Sequence, residues 1–176
     1  MTQQFAINPY APPKANLDAP VEATTVQAFP RFSAWGVFLL SGVTLGVYPV
    51  YWLYTRTRIL NRLLPSNPIP KGLAFAAVVL LLGNAAGSFL EGIYPGNLGV
   101  RGMSSLIGLA FSIVNLCWVF MFRNRVNEHC VSHKGDRYWL GGVLTFFFQV
   151  LYLQYKLNEL IDQERTVTSL RPIAAA

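Results

Sequence analysis

Three groups of side chains in this sequence are of types that could do chemistry. The first is His129, Cys130 and His133 in "NEHCVSH", beside Glu128. Histidines at i and i+4 share a helical face, and imidazole and thiolate are ligands for soft metals. No second cluster supplies the rest of a four-ligand set, so a solvated linker without metal is expected. The second group is amide side chains in otherwise apolar runs: Asn84, Asn115, Gln149 and Gln154. Such groups read either as interhelical hydrogen bonds or as part of a transport path. The runs 72–90 and 103–122 contain no Asp, Glu, Lys or Arg, which argues against proton or ion coupling. The third group is acids, and Glu91 is the one acid next to either of these two runs. There is no Ser-His-Asp arrangement, no phosphate-binding loop, no dinucleotide fingerprint and no pair of carboxylates within an apolar run. No catalytic residue and no cofactor is therefore expected.

The elements that position these groups are apolar blocks. Of 176 residues, 53% are hydrophobic and 12% charged, against about 25% charged in ordinary soluble domains. Four blocks carry the apolar content: 32–54, 72–90, 103–122 and 138–155. A bilayer span takes about 20 apolar residues, which the second and third blocks supply directly. The expected fold class is all-α, a polytopic helical membrane protein. It has two clear transmembrane helices, 72–90 and 103–122, and two hairpin, re-entrant or kinked spanning segments, 32–63 and 138–161. Residues 1–31 hold five prolines and read as a disordered, Pro-rich cytoplasmic tail. Residues 32–161 form the membrane domain, and 162–176 a polar tail expected to fray. The net charge of +6 flanks apolar blocks, so anionic lipid headgroups are the expected partner and nucleic acid is not.

Charge also bears on the threading. With four full spans, the basic residues divide eight against six between the two faces. With the first and fourth blocks dipping in and returning, they divide thirteen against one, Arg101 being alone on the far side. The positive-inside rule favours the second arrangement. Thr44-Leu45-Gly46 and Pro49 break the first block, and Gly141-Gly142 lie near the start of the fourth. A kinked full span remains the alternative, since neighbouring helices can satisfy freed backbone groups.

The blocks resemble one another. Thr44, Tyr51 and Tyr54 recur in spacing as Thr145, Tyr152 and Tyr155. Trp52, Arg56, Arg58 and Asn61 parallel Trp118, Arg123, Arg125 and Asn127, with nine residues from Trp to Asn in both. Aromatics at headgroup level with snorkelling cations beyond them suit three exits on one face. This makes Arg56, Arg58, Arg123, Arg125 and Lys156 headgroup candidates. An asparagine one turn further on can bond a neighbouring backbone. Gly83 and Gly87 form a small-residue face, matched by Gly108 and Ser112, where the two spans pack or the protein dimerises.

The stretch "FLLSGVTLGVYPVYWLYTRTRILN" resembles the DUF4234 family of bacterial membrane proteins, through Thr44, Gly46, Tyr48, Tyr51, Trp52 and Asn61. "FQVLYLQYKLNELI" is similar to that family's second signature, through Tyr152, Gln154, Tyr155 and Asn158. Pro49 departs from the pattern, at a position where a smaller or more flexible residue is expected. The resemblance implies an integral inner-membrane protein, multi-pass, with no assigned catalytic residues. With both termini on the basic, cytoplasmic face, the expected role is structural or accessory, binding lipid, a membrane-protein partner or further copies of itself. A minimal oligomeric channel or transporter is the alternative.

Overall fold

The computed structural model describes residues 26–130, 132, 134 and 136–174, with side chains as far as Thr166. Most of the expected N-terminal tail lies outside the described residues, as does His133. The described residues form five helices and no strand. One turn of 3-10 helix, Val26–Ala28, precedes α1 (Ala34–Val43), α2 (Val47–Leu63), α3 (Lys71–Ile93), α4 (Leu98–His129) and α5 (Gly142–Ala174).

The expected pair of apolar helices is present as α3 and α4, both long and apolar enough to cross a membrane. Each outruns its apolar core. Helix α4 starts at Leu98 because the Asn97 side chain accepts the Gly99 and Val100 N–H groups, at 3.0 and 3.1 Å. It continues to His129 because its last turns bury Phe122 and Val126. Both helices thus extend beyond the apolar blocks 72–90 and 103–122.

The 32–63 segment is two helices joined by a reversal. Leu45 (φ 50°) and Gly46 (φ 89°) are both left-handed, a conformation that ends a right-handed helix. Thr44 serves both sides of the break: its hydroxyl donates to the Leu40 carbonyl at 2.7 Å and accepts the Tyr48 N–H at 2.9 Å. Pro49 is not the breaker. It occupies the first turn of α2, where no intrahelical N–H is required. The chain returns to its starting point. Phe29, before α1, lies edge-on to the Phe122 ring at 6.3 Å, and Trp52, in α2, does so at 5.6 Å. Between them α1 has 10 residues, about 15 Å of helix.

Helix α5 behaves alike. Gly142 begins it, beside Phe120 and Arg123 of α4, so the glycine pair leads into the helix and does not interrupt it. The kink is at Gln149 (φ 40°, ψ −122°). The Tyr152 hydroxyl accepts the Gly141 N–H at 3.0 Å; an unbroken helix would separate those residues by about 16 Å. Beyond the kink the second limb runs on through the polar segment to Ala174, with Asp162 paired to Arg31 at 2.9 Å. The C-terminal segment is thus helical over its described residues.

The core gathers at one end. Trp52, Leu53, Leu60, Trp118, Phe122, Leu140, Leu153, Leu157 and Ile161 are buried together. The remaining apolar lengths, α1, most of α3, the first half of α4 and Val143–Phe148, carry exposed side chains such as Phe38, Phe75, Leu82, Leu106 and Phe147. Exposed apolar surface on this scale marks contact with lipid or protein.

Candidate functional site

Three asparagines organise the buried end. The Asn61 carboxamide accepts the Ile69 N–H at 2.8 Å and donates to the Ile69 carbonyl at 3.0 Å. Asn127 treats Leu140 the same way, at 3.0 and 3.2 Å. Asn158 donates to the Phe32 carbonyl at 2.7 Å, while its oxygen accepts from Gln154 at 2.8 Å. Each clamped residue stands two positions before an apolar helix: Ile69 before α3, Leu140 before α5, Phe32 before α1. A backbone leaving one helix for the next has unpaired polar groups, and burial makes them costly. The carboxamide, donor and acceptor side by side, satisfies both at Ile69 and Leu140, and the carbonyl alone at Phe32.

Nine residues before the clamps stand Trp52, Trp118 and Gln149. These three close a ring of hydrogen bonds. The Trp52 indole N–H donates to Gln154 Oε1 at 2.7 Å, joining α2 to α5. The Asn115 amide donates to Gln149 Oε1 at 2.9 Å, joining α4 to α5. The Trp118 indole N–H donates to Thr57 Oγ1 at 3.0 Å, joining α4 to α2. The Trp–Asn spacing was visible in the sequence twice. The third copy was hidden because matching the tyrosine pairs sets a different register from matching Gln149 and Asn158. Thr57 gave no signal of its own.

Trp52 is fully buried and is a core residue, not an aromatic at headgroup level; Tyr152 is buried with it. Tyr51, Tyr54 and Tyr155 are exposed and Tyr48 half-buried, its ring against Phe32 and Tyr51. Gly46 supplies the reversal and Thr44 brackets it. Thr145, its counterpart, likewise donates to the carbonyl four residues back, Gly141, at 2.8 Å.

The five cations expected at headgroups separate. Arg56 is only 7% exposed. It lies over the Trp52 ring at 5.1 Å, with its Nε buried and unpartnered, so it packs into the core and does not face a headgroup. Arg123 Nε donates to the Leu140 carbonyl at 2.6 Å, with the guanidinium over Trp139 at 5.1 Å. Arg125 pairs with Glu128 at 2.8 Å. Lys156 donates to the Arg137 carbonyl and to Glu159, both at 2.7 Å. Burial pushes the Glu159 carboxyl up, but the hydrogen bonds and charges of Lys156 and Arg137 outweigh it and hold the group below the usual carboxylate value. Arg58 alone touches no acceptor, resting over the Tyr54 ring at 5.8 Å.

The small residues of α3 and α4 face each other within the chain. A Cβ on Gly87 would lie 2.5 Å from Ser104 Oγ and 3.3 Å from its Cα; one on Gly108 would lie 2.9 Å from Asn84 Oδ1, and one on Gly83 would meet Ile107. Ser112 is exposed and bonds back to the Gly108 carbonyl of its own helix, at 2.9 Å. The seam therefore runs through Ser104, where the sequence suggested Ser112. An antiparallel pair needs small residues at mirrored positions, and Ser104 mirrors Gly87.

Among the described residues no cluster of metal-ligating side chains forms. Cys130 closes α4, half-buried; burial, with Glu164 nearby, pushes its thiol up to about 11. The free thiol therefore stays protonated at neutral pH.

A family model described as a domain of unknown function, DUF4234, matches residues 32–128. The match takes in both Trp–Asn spacings and stops before the 148–161 stretch. No curated protein and no solved structure matches the chain.

Proposed function

The chain belongs to the DUF4234 family, and we propose that it is a non-catalytic, multi-pass membrane protein built on two spans and two re-entrant hairpins. In this reading α3 and α4 cross the bilayer. Helix α1 and residues 142–148 dip into it from the cytoplasmic side and return. The clamped core lies on that side and presents a basic, tyrosine-rich face to anionic lipid or to a partner protein.

The observation that carries the reading is that Phe29 and Trp52 meet the same Phe122 ring. A 10-residue helix that leaves and returns to one ring is half the length needed for a hydrocarbon core about 30 Å thick. The thirteen-to-one division of basic residues supports the same threading. The half-buried amides sit at helix contacts: Asn115 donates to Gln149 and Asn84 lies against Gly108. Amides seated at helix–helix contacts favour an accessory role over a conduction path. The cell compartment follows from the reading: an inner membrane with both termini cytoplasmic.

Alkaline carbonate extraction and mild-detergent purification test this. The chain should stay with the membrane pellet, and crosslinking in the membrane should yield a discrete product with a partner or a second copy. Release into the carbonate supernatant contradicts integral insertion. A clean monomer with no crosslinked product and no preference for anionic liposomes contradicts the accessory role.

A further inference from the structure

Arg58, Arg62 and Lys71 line a single cleft of about 560 Å³ between the exposed end of α2 and the start of α3. Tyr54, Arg58 and Arg62 form one stripe of α2 at four-residue spacing, and Lys71 opens α3 opposite. No carboxylate lines the cleft. Among the described residues Arg62 and Lys71 have no hydrogen-bond or ion-pair partner, and Arg58 has only the Tyr54 ring. Every other headgroup candidate is spent on a carbonyl, a carboxylate or an indole, whereas these three cations converge on a cleft with no carboxylate among its lining residues. The lead-in to α3 adds to the field: Pro70 at its N-cap provides no side-chain cap, and helix N-termini favour anions.

The cleft has a second, apolar end. Ala74 lines it, and Val78, one turn further along the same face of α3, is exposed. We propose that this cleft binds the phosphate of an anionic phospholipid, with Arg58, Arg62 and Lys71 on the phosphate oxygens, the Tyr54 hydroxyl at the rim and an acyl chain laid along α3 from Ala74. Guanidinium groups match phosphate oxygens in geometry as well as charge. The lipid source of the phosphate rests on the membrane reading above; the convergence of three unpaired cations does not.

The test is native mass spectrometry of the full chain in neutral detergent, with phosphatidylglycerol, phosphatidylcholine and inorganic phosphate as probes. Wild type should retain one phosphatidylglycerol and no phosphatidylcholine. Arg62→Gln with Lys71→Gln should weaken that binding by about tenfold or more, as loss of charge-assisted hydrogen bonds implies. Arg101→Gln with Arg165→Gln removes the same charge elsewhere and should change it by less than about twofold. Equal loss in both double variants, or equal retention of the two lipids, overturns the site. Displacement of the lipid by millimolar phosphate would keep the phosphate site and overturn its lipid source. Melting curves and helical circular dichroism of both variants, matched to wild type, show that the fold is intact. A chain that stays in membranes yet lacks the lipid preference defeats this site alone, whereas release by carbonate defeats the membrane reading alone.

Discussion

Asn127 holds both backbone polar groups of Leu140, accepting its N–H at 3.0 Å and donating to its carbonyl at 3.2 Å. Asn127 is 5% exposed and Leu140 fully buried, so nothing outside the protein replaces those bonds. Replacing Asn127 with leucine should cost about 1–3 kcal/mol, chiefly from the buried Leu140 N–H left unpaired, since the Leu140 carbonyl keeps its bond from Arg123. Asn61→Leu, at a half-buried site, should cost about half as much. Thermal melting of the detergent-solubilised chain, followed by tryptophan fluorescence, measures both. A change below 0.5 kcal/mol for Asn127→Leu would contradict the clamp.

The ring bond between Trp52 and Gln154 should appear as coupling. Trp52→Phe keeps most of the packing and removes the donor; Gln154→Leu removes the acceptor. A double-mutant cycle on stability should give a coupling energy of about 1 kcal/mol. Strict additivity would mean that the two side chains are neighbours without an energetic bond.

The α3–α4 seam separates glycines that are needed from glycines that are not. Gly87→Ala places a methyl group within 3.3 Å of the Ser104 backbone and should destabilise by about 1–3 kcal/mol. Gly92→Ala, whose Cβ meets nothing within 4 Å, should be neutral or slightly stabilising through helix propensity. Equal effects in the same melting assay would place the helices in another register.

Glu159 supplies a pH dependence. Its carboxyl is held below the ordinary value of 4.5 by Lys156 and Arg137, against burial. Its contribution is therefore fully present above that value and is lost as pH falls through the lowered one. Melting temperature should decline as pH is taken below about 4.5, and Glu159→Gln should flatten that part of the decline. An unchanged acid limb in the variant would show that other carboxylates carry it.

How much of this was legible in the sequence depended on the kind of signal. Helices α3 and α4 were, because length and the absence of charge define them. The break at Thr44–Gly46 was, because glycine marks left-handed backbone. The kink at Gln149 was not: it lies in an aromatic run with no glycine or proline, and what holds it is a bond to Asn115 some thirty residues away in sequence. The Trp–Asn spacing was visible, and so was the idea that the asparagine bonds a backbone. That the tryptophans turn inward was not, because an aromatic beside arginines reads as a bilayer interface until the partner that buries it is known. Arg56 and Arg58 show the same limit. Two residues apart on one helix, they point to different sides, and composition does not distinguish a cation in the core from one facing a headgroup.

The threading is tested most directly by cysteine labelling from each face of sealed membranes, with single cysteines at Asn16, Asn67, Gly99 and Ala175 in a background lacking Cys117 and Cys130. Two spans with two returning hairpins require Asn16, Asn67 and Ala175 to label together from one face and Gly99 from the other. Asn16 labelling opposite Asn67 would mean that 32–63 crosses the bilayer, and Ala175 labelling opposite Asn67 would mean that 138–161 does. Either result contradicts the arrangement in which all three clamps share one face.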